Sequence, residues 1–377
     1  MMESERTNSE RGSGGRRVLI AAGGTAGHVV PALAVAEVLA ADGCEVSFAG
    51  ARGRTEADLV PEAGYPIELL DLSGIDRRNP VKAARALLMA ARALPEAGRL
   101  LDRTKPSVVV GGGGFVAGPV GLAAARRGIP LVLTEADRRL GLANRLLRRK
   151  AAAICLAFPI EGIEGHGVEV TGRPVERSVI EGDREAARRR FGIAPDRNCL
   201  LVTGGSLGAL SINTAAVEAF GEASARDFDV IHITGRRDHS EVEALLQRVG
   251  DSTGYHLLEY EPNLGDSLAA SDLALSRSGG SVFELAATGK PAILIPYPHA
   301  SADHQTANAR WMEEAGAAVV LSDGDLTPEL IAGSVSGLFG DPGRLEGMSE
   351  AARSLARPDA AERVARAVER SASEGRR

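Results

Sequence analysis

Three cysteines in 377 residues, Cys44, Cys155 and Cys199, are too scattered for a disulfide framework and lack the paired spacing of a zinc site. They point to a reduced, cytosolic setting. Positive charge is also in short supply. A formal net charge of −6 argues against non-specific binding to nucleic acid, which needs clustered cations to neutralise phosphates, so any basic patch is local. An apolar leader is missing: residues 1–16 are polar and glycine-rich and read as a disordered tail, not a signal peptide, as do the last residues, SASEGRR. The longest uncharged stretch, Pro106–Ala125, matches a membrane span in length. Its GGGG and internal Pro119 fit a strand, a turn and a helix start instead.

What the chain does have is 44% hydrophobic and 25% charged residues, the balance of a soluble globular protein, and a length that suits two domains. Two glycine-rich turns follow short apolar strands, VLIAAGGTAGH at 18–28 and CLLVTGGSLGA at 199–209. Each runs into Gly-Gly and a hydroxyl side chain, Thr25 or Ser206, before a helical pattern begins. An open α/β sheet presents backbone N–H groups and a helix N-terminus to a phosphate in this way. Strands are expected at 18–22, 45–50, 107–111 and 130–135, the last completing a first sheet, and at 199–203, 229–233, 255–259, 272–276 and 291–296. Pro31 can open the first helix and Gly43 close it; another helix falls near 80–94, and the crossing between domains near 165–179. The expected fold is α/β, with two Rossmann-like domains whose parallel sheets face each other across a cleft. Their bounds are a tail at 1–16, domains at 17–172 and 173–355, and a helix and tail at 356–377 that pack back toward the first domain.

A redox dinucleotide site wants GxGxxG and an acidic residue ending the second strand; here the spacing differs and that strand ends Phe48, Ala49, Gly50. His28, opening a helix beside a phosphate-type loop, is a candidate general base, where a lone histidine would read as structural. GGGGFVAGP at 111–119 fits equally a helix packed closely on a strand and a second wall of an acceptor pocket. The densest constellation is 276–309. Ser278, Gly279, Gly280 and Ser281 offer backbone donors to a diphosphate, Glu284 a carboxylate to ribose hydroxyls, and Asp303, His304, Gln305 and Asn308 polar groups to a sugar. Asp323-Gly324-Asp325, a DxD pair that could hold a metal, precedes Thr327-Pro328 and reads as a structural turn. On a helical wheel Val81, Ala84, Leu87, Leu88, Ala91 and Leu94 share one face beside Lys82, Arg85 and Arg92. That face is either core-facing or, with Arg77, Arg78 and an exposed Met89, a rest for anionic lipid headgroups.

Taken together, GGTAGHVVPALAVAEVL, GGGGFVAGPVGLAAA, VTGRPVE, LLVTGGSLGALSIN and the 276–309 block resemble the peptidoglycan glycosyltransferases of family 28. These transfer N-acetylglucosamine from UDP-N-acetylglucosamine to undecaprenyl-pyrophosphoryl-muramoyl-pentapeptide, lipid I. The resemblance spans about residues 17–355. It implies a GT-B fold, with an acceptor and membrane-facing first domain and a UDP-sugar-binding second. It also implies an inverting β-1,4 transfer giving lipid II, work at the cytoplasmic face of the membrane, and partners among other cell-wall synthesis and division proteins; loop N–H groups, Ser206 and a helix dipole can take up the leaving group's charge, so no essential metal is expected. A related enzyme with another lipid acceptor, such as diacylglycerol, and a non-catalytic homologue that binds nucleotide sugar are the alternatives. By the same resemblance Thr25, Ala26 and Gly27 lie near the sugar and diphosphate, and His28 beside the acceptor. Ser206 contacts the diphosphate, Glu284 the ribose and Gln305 the sugar, and a base contact falls near Tyr260 and Glu261. Three departures stand out. Where the family usually has HEQN, this chain has Thr134, Glu135, Ala136 and Asp137, so the asparagine that contacts the sugar becomes Asp137. The family arginine after GNPV becomes Glu176, with Arg173 and Arg177 nearby as substitutes. The block from Arg277 to Glu284 is one residue shorter. Asp137 or Glu135 is the reserve base.

Overall fold

A computed structural model of the chain describes residues 15–72, 80–205, 208–300 and 303–375, with side chains at all of these but 80–88 and 90. The chain forms two compact units, residues 1–174 with 359–377, and residues 175–358.

The first unit holds seven strands: β1 (Arg17–Ala21), β2 (Glu45–Ala51), β3 (Ile67–Leu70), β4 (Val108–Gly111), β5 (Leu131–Glu135), β6 (Ala153–Leu156) and β7 (Val168–Val170). They pair in parallel in the order β3-β2-β1-β4-β5-β6-β7. Its helices are α1 (Ala26–Ala41), α2 (Glu56–Glu62), α3 (Pro80–Thr104), α4 (Ala117–Arg126) and α5 (Leu142–Leu147). A parallel sheet is covered on both faces, so its strands are near-continuous apolar runs, and alternate residues serve opposite layers. Val18, Ile20, Val108, Val110 and Val132 pack with Val29, Val35 and Leu39 of α1. Leu19, Val109, Leu131 and Leu133 pack instead with Ala97, Leu100 and Leu101 of α3 and Val120 of α4.

The second unit repeats the device with β8 (Cys199–Thr203), β9 (Asp229–Ile233), β10 (Tyr255–Leu258), β11 (Leu273–Ser276), β12 (Ala292–Leu294) and β13 (Ala318–Val320), in the order β10-β9-β8-β11-β12-β13. Its helices are α6 (Arg177–Ile180), α7 (Arg184–Phe191), α8 (Leu210–Phe220), α9 (His239–Leu246), α10 (Leu264–Ala270), α11 (Ser281–Ala287), α12 (His304–Glu314), α13 (Pro328–Phe339) and α14 (Pro342–Leu355). The last helix, α15 (Ala360–Glu374), belongs to the first unit. Val364, Ala365, Ala367, Val368 and Ala372 are buried in the layer that α1 covers, while Arg363 and Arg370 pair with Glu169 of β7.

Several expectations need correction. The first sheet does not end at 130–135: β6 and β7 extend it, and β7 lies in the stretch expected to cross between domains. β3 and β13 were not anticipated, and α1 opens at Ala26 with Pro31 inside it. The units change over after Pro174 and Pro358. Arg16, placed in a disordered tail, makes an ion pair with Glu369 at 3.3 Å. Among the described side chains of α3, Ala93, Ala97, Leu100 and Leu101 are buried, as is Gly98, whereas Ala91 is exposed and Met89 half-buried.

Both sheets run 3-2-1-4-5-6 from one edge, so strand order reverses between β1 and β4 and between β8 and β11. Ligands of open α/β sheets bind at the carboxyl ends of strands flanking such a switch point. Ala21 pairs with Gly111 and Thr203 with Ser276, so the glycine loops after β1 and β4 are neighbours, as are those after β8 and β11.

Candidate functional site

In the first unit, Thr25 occupies the N-cap of α1 in extended conformation, yet its hydroxyl makes no cap hydrogen bond. It lies 3.3 Å from Nδ1 of His28. The imidazole also lies against the loop after β4. A Cβ at Gly113, whose φ is +99°, would stand 2.5 Å from Cδ2 of His28, and one at Gly114 (φ +75°) 1.9 Å from the carbonyl oxygen of Gly23. This loop therefore packs on the first loop and against the ring of His28. Gly27 is exposed, and its carbonyl accepts from Nη2 of Arg173 at 2.7 Å. Thr25, Ala26, Gly27, His28 and Arg173 are thus brought together.

Beneath this loop lies Glu56, fully buried at the start of α2, which sequence reasoning missed. Its carboxylate accepts from the amides of Gly24 and Ala51, both at 2.9 Å. A Cβ at Gly23 would meet Oε1 of Glu56 at 2.1 Å, so this glycine makes room for it. The acid sought at the end of β2 is present, five residues beyond the strand and turned inward.

The loop after β5 is organised by Glu135. Its carboxylate accepts from the amides of Gly141 (2.7 Å) and Asp137 (3.2 Å) and from Nδ2 of Asn144 (3.0 Å). Burial pushes its pKa above the ordinary carboxylate value, against those three hydrogen bonds. Glu135 is therefore an anchor of the turn, and Asp137 is the acid exposed at its tip. A pocket lined in part by Gly27, Gly112, Thr134, Ala136, Thr171 and Arg173 opens at the carboxyl ends of β4 to β6.

In the second unit, Ser206 lies outside the described residues. Gly279 and Gly280 lead into α11, Ser281 donates through Oγ to the carbonyl of Arg277 at 3.1 Å, and Glu284 is half-buried in the first turn of α11. Oε1 of Gln305 accepts from the amide of Tyr297 at 2.9 Å. That leaves Nε2, a donor, beside Gly279, where a Cβ would lie 3.7 Å away. Asn308, expected to meet sugar hydroxyls, is buried and donates to the carbonyls of Ser278 (3.1 Å) and Gly279 (3.3 Å), so it shapes the loop. Ser278 is fixed likewise, its hydroxyl donating to the carbonyl of Gln305 at 2.8 Å. Near the expected base contact, Glu261 turns inward to Arg190 (2.7 Å), and Tyr260 is exposed beneath the Arg236 guanidinium.

Arg277 was also missed. Buried at the end of β11, it donates to the carbonyl of Ile295 (3.2 Å) and to Oγ of Ser211 (3.0 Å) and pairs with Asp323 at 2.6 Å. Asp323 of the DxD sequence is thus the counter-ion of Arg277. An arginine closing an otherwise apolar and hydroxyl strand was the available signal. Among the described residues, no group of three or more His, Cys, Asp or Glu side chains is placed to hold a metal ion.

Comparison with known proteins places this geometry. The model described as glycosyltransferase family 28 N-terminal domain matches residues 18–156, and that described as glycosyltransferase family 28 C-terminal domain matches 199–364. The UDP-N-acetylglucosamine--N-acetylmuramyl-(pentapeptide) pyrophosphoryl-undecaprenol N-acetylglucosamine transferase of Methylococcus capsulatus is 43% identical over 355 residues, 93% of this chain and 97% of that protein. The protein of the same name from Moorella thermoacetica is 40% identical over 373 residues, covering 95% and 100%. The crystal structure of Acinetobacter baumannii MurG superposes with a TM-score of 0.74 at 29% identity, covering 94% of this chain and 99% of that one. With such identity along nearly its whole length and both halves matched in order, the chain belongs to glycosyltransferase family 28.

Proposed function

We propose that the protein transfers N-acetylglucosamine from UDP-N-acetylglucosamine to the 4-hydroxyl of the N-acetylmuramoyl unit of lipid I, with inversion, forming the β-1,4 link of lipid II. The observation that carries this reading is the 40–43% identity over 93–95% of the chain to transferases named for that donor and acceptor. The loops supply the chemistry. In the tautomer whose Nδ1–H donates to Thr25, Nε2 of His28 carries the lone pair that takes the proton from the acceptor hydroxyl. The oxygen then forms its bond to the anomeric carbon from one face, while the bond to the diphosphate breaks on the other and UDP leaves with the electron pair. Ser206 and the backbone of the loop opening α8 receive the growing negative charge, aided by the helix dipole. Glu284 accepts from ribose hydroxyls, and Nε2 of Gln305 donates to a sugar oxygen. The backbone of Gly279 and Gly280 donates to the diphosphate, and Asp137 takes the part of the asparagine that contacts the sugar. This mechanism uses no bound metal, and Asp323 is already engaged by Arg277 and Ser211.

A transfer assay with radiolabelled UDP-N-acetylglucosamine and UDP-glucose, offered a lipid I analogue and diacylglycerol, tests this. Label from UDP-N-acetylglucosamine in the lipid I analogue alone is expected. Label only in diacylglycerol, or donor binding without transfer, would overturn it.

The protein works as a peripheral enzyme on the cytoplasmic face of the membrane. Among the described residues no helix is long and apolar enough to cross a membrane. The α3 stripe expected to meet lipid lies largely outside the described side chains, and Arg77 and Arg78 lie outside the described residues altogether. Support comes from a patch sequence reasoning passed over. On α5 and the turn after it, Arg145, Arg148, Arg149 and Lys150 are exposed around Leu146, itself 70% exposed. Each cation is worth about 1 kcal/mol near an anionic leaflet. Reversing the four charges to glutamate should abolish flotation with phosphatidylglycerol vesicles without lowering the unfolding temperature; unchanged flotation refutes the assignment.

A further inference from the structure

Pro31 is the sixth residue of α1 and has no N–H for the carbonyl of Gly27, four residues back; its ring also crowds that oxygen. The carbonyl does have a charged donor, Nη2 of Arg173 at 2.7 Å, 146 residues along the chain. It belongs to the peptide unit joining Gly27 to His28, whose other end, the amide of His28, donates to the carbonyl of Thr25 at 3.0 Å. Both ends of the plane from which His28 projects are thereby pinned. Arg173 stands in the segment GRPVE, residues 172–176.

We propose that Arg173 is a positioning residue for His28: its guanidinium replaces the amide that Pro31 cannot supply and fixes the first turn of α1. This rests on the reading of His28 as the base. It also separates Arg173 from a donor-binding role as a substitute for the arginine missing at Glu176.

The test follows from the cause. Arg173→Ala should lower kcat by about 10- to 100-fold, the scale of a small misplacement of a catalytic group, and leave KM for UDP-N-acetylglucosamine unchanged. Pro31→Ala restores an amide four residues beyond Gly27 and removes a helix-breaking ring, so it should fold well and turn over normally. In the double variant the loss should shrink to a few-fold, a coupling that independent roles do not give. A loss from Arg173→Ala that is the same with and without Pro31→Ala, or a raised KM for the UDP-sugar, would overturn the proposal. Hydrogen exchange in the first turn of α1 tests the same coupling without turnover. Faster exchange in Arg173→Ala, reversed in the double variant, supports it, and unchanged exchange overturns it. Failure of transfer by the wild-type chain would instead remove the function itself.

Discussion

The two units share a strand order and place their glycine loops at the same topological position, yet the buried acid near each loop is satisfied differently. Under the loop after β1 lies a fully buried carboxylate, Glu56, which occupies the amide of Gly24. Under the loop after β8, the amides of Gly205 and Gly208 go to the hydroxyl of Thr203 and the carbonyl of Gly205. The acid nearest Gly208, Asp238, is held by Arg237 and by Asn213. An anion approaching the first loop meets an internal anion that has already taken one donor; what projects there is a hydroxyl and an imidazole. An anion approaching the second meets, in Asp238, a buried acid that carries its own cation. Topology thus places both loops alike, and the buried neighbours give each loop its own electrostatic setting.

The sharpest way to break this division is His28→Ala. Loss of a general base should lower kcat by about 10² to 10⁴-fold with little change in KM for the UDP-sugar, measured by radiolabel transfer at saturating acceptor. Near-normal turnover would leave the first loop without its chemical role. The next largest effect belongs to Glu56→Gln. Glutamine offers one acceptor and one donor to two N–H groups, so one amide is left facing an NH₂, at a cost of about 1–3 kcal/mol. The sole tryptophan, Trp311, lies on α12 of the second unit. Urea unfolding followed by hydrogen exchange in α1 and β2 should therefore shift, while Trp311 fluorescence stays in place. A shift in both would mean that Glu56 serves more than its own loop.

Much of this was legible in the sequence because parallel strands at a sheet centre must be apolar on both faces, which makes VLIA, VVVG and LLVT stand out beside their glycines. β3 escaped notice because it is an edge strand, half exposed after Pro66, and β6 because AICL sits in an alanine-rich run that also suits a helix. Pro31 misled through a sound rule, that proline prefers the first helical turn. The rule failed because the donor compensating for it, Arg173, comes 142 positions later, beyond any local pattern. Glu56 and Arg277 were hidden for the same reason, since a charge in a core is tolerable only where distant groups meet it. The loop positions were local information; the partners that give each loop its character were not.

The smallest expected effect probes the support of the second loop. His232 is fully buried in β9, with Nδ1 2.7 Å from the hydroxyl of Tyr255 and Nε2 3.0 Å from Oδ1 of Asn213, whose Nδ2 donates to the carbonyl of Thr234 and to Asp238. Burial pushes its pKa down from 6.5 to about 3, with the nearby His239 adding to the effect. The folded state thus holds a neutral ring while the unfolded chain gains a proton below about pH 6.5. Its contribution to stability is complete above that pH and is lost as pH falls toward 3, at a limiting slope of about 1.4 kcal/mol per pH unit. Near pH 6 the loss is only a fraction of that. Glutamine can bridge the same two partners without titrating. The Trp311 unfolding midpoint of His232→Gln should accordingly fall less between pH 7 and 5 than that of the wild type. Parallel curves would show that the ring takes up its proton alike in the folded and unfolded states, and that burial does not hold it neutral.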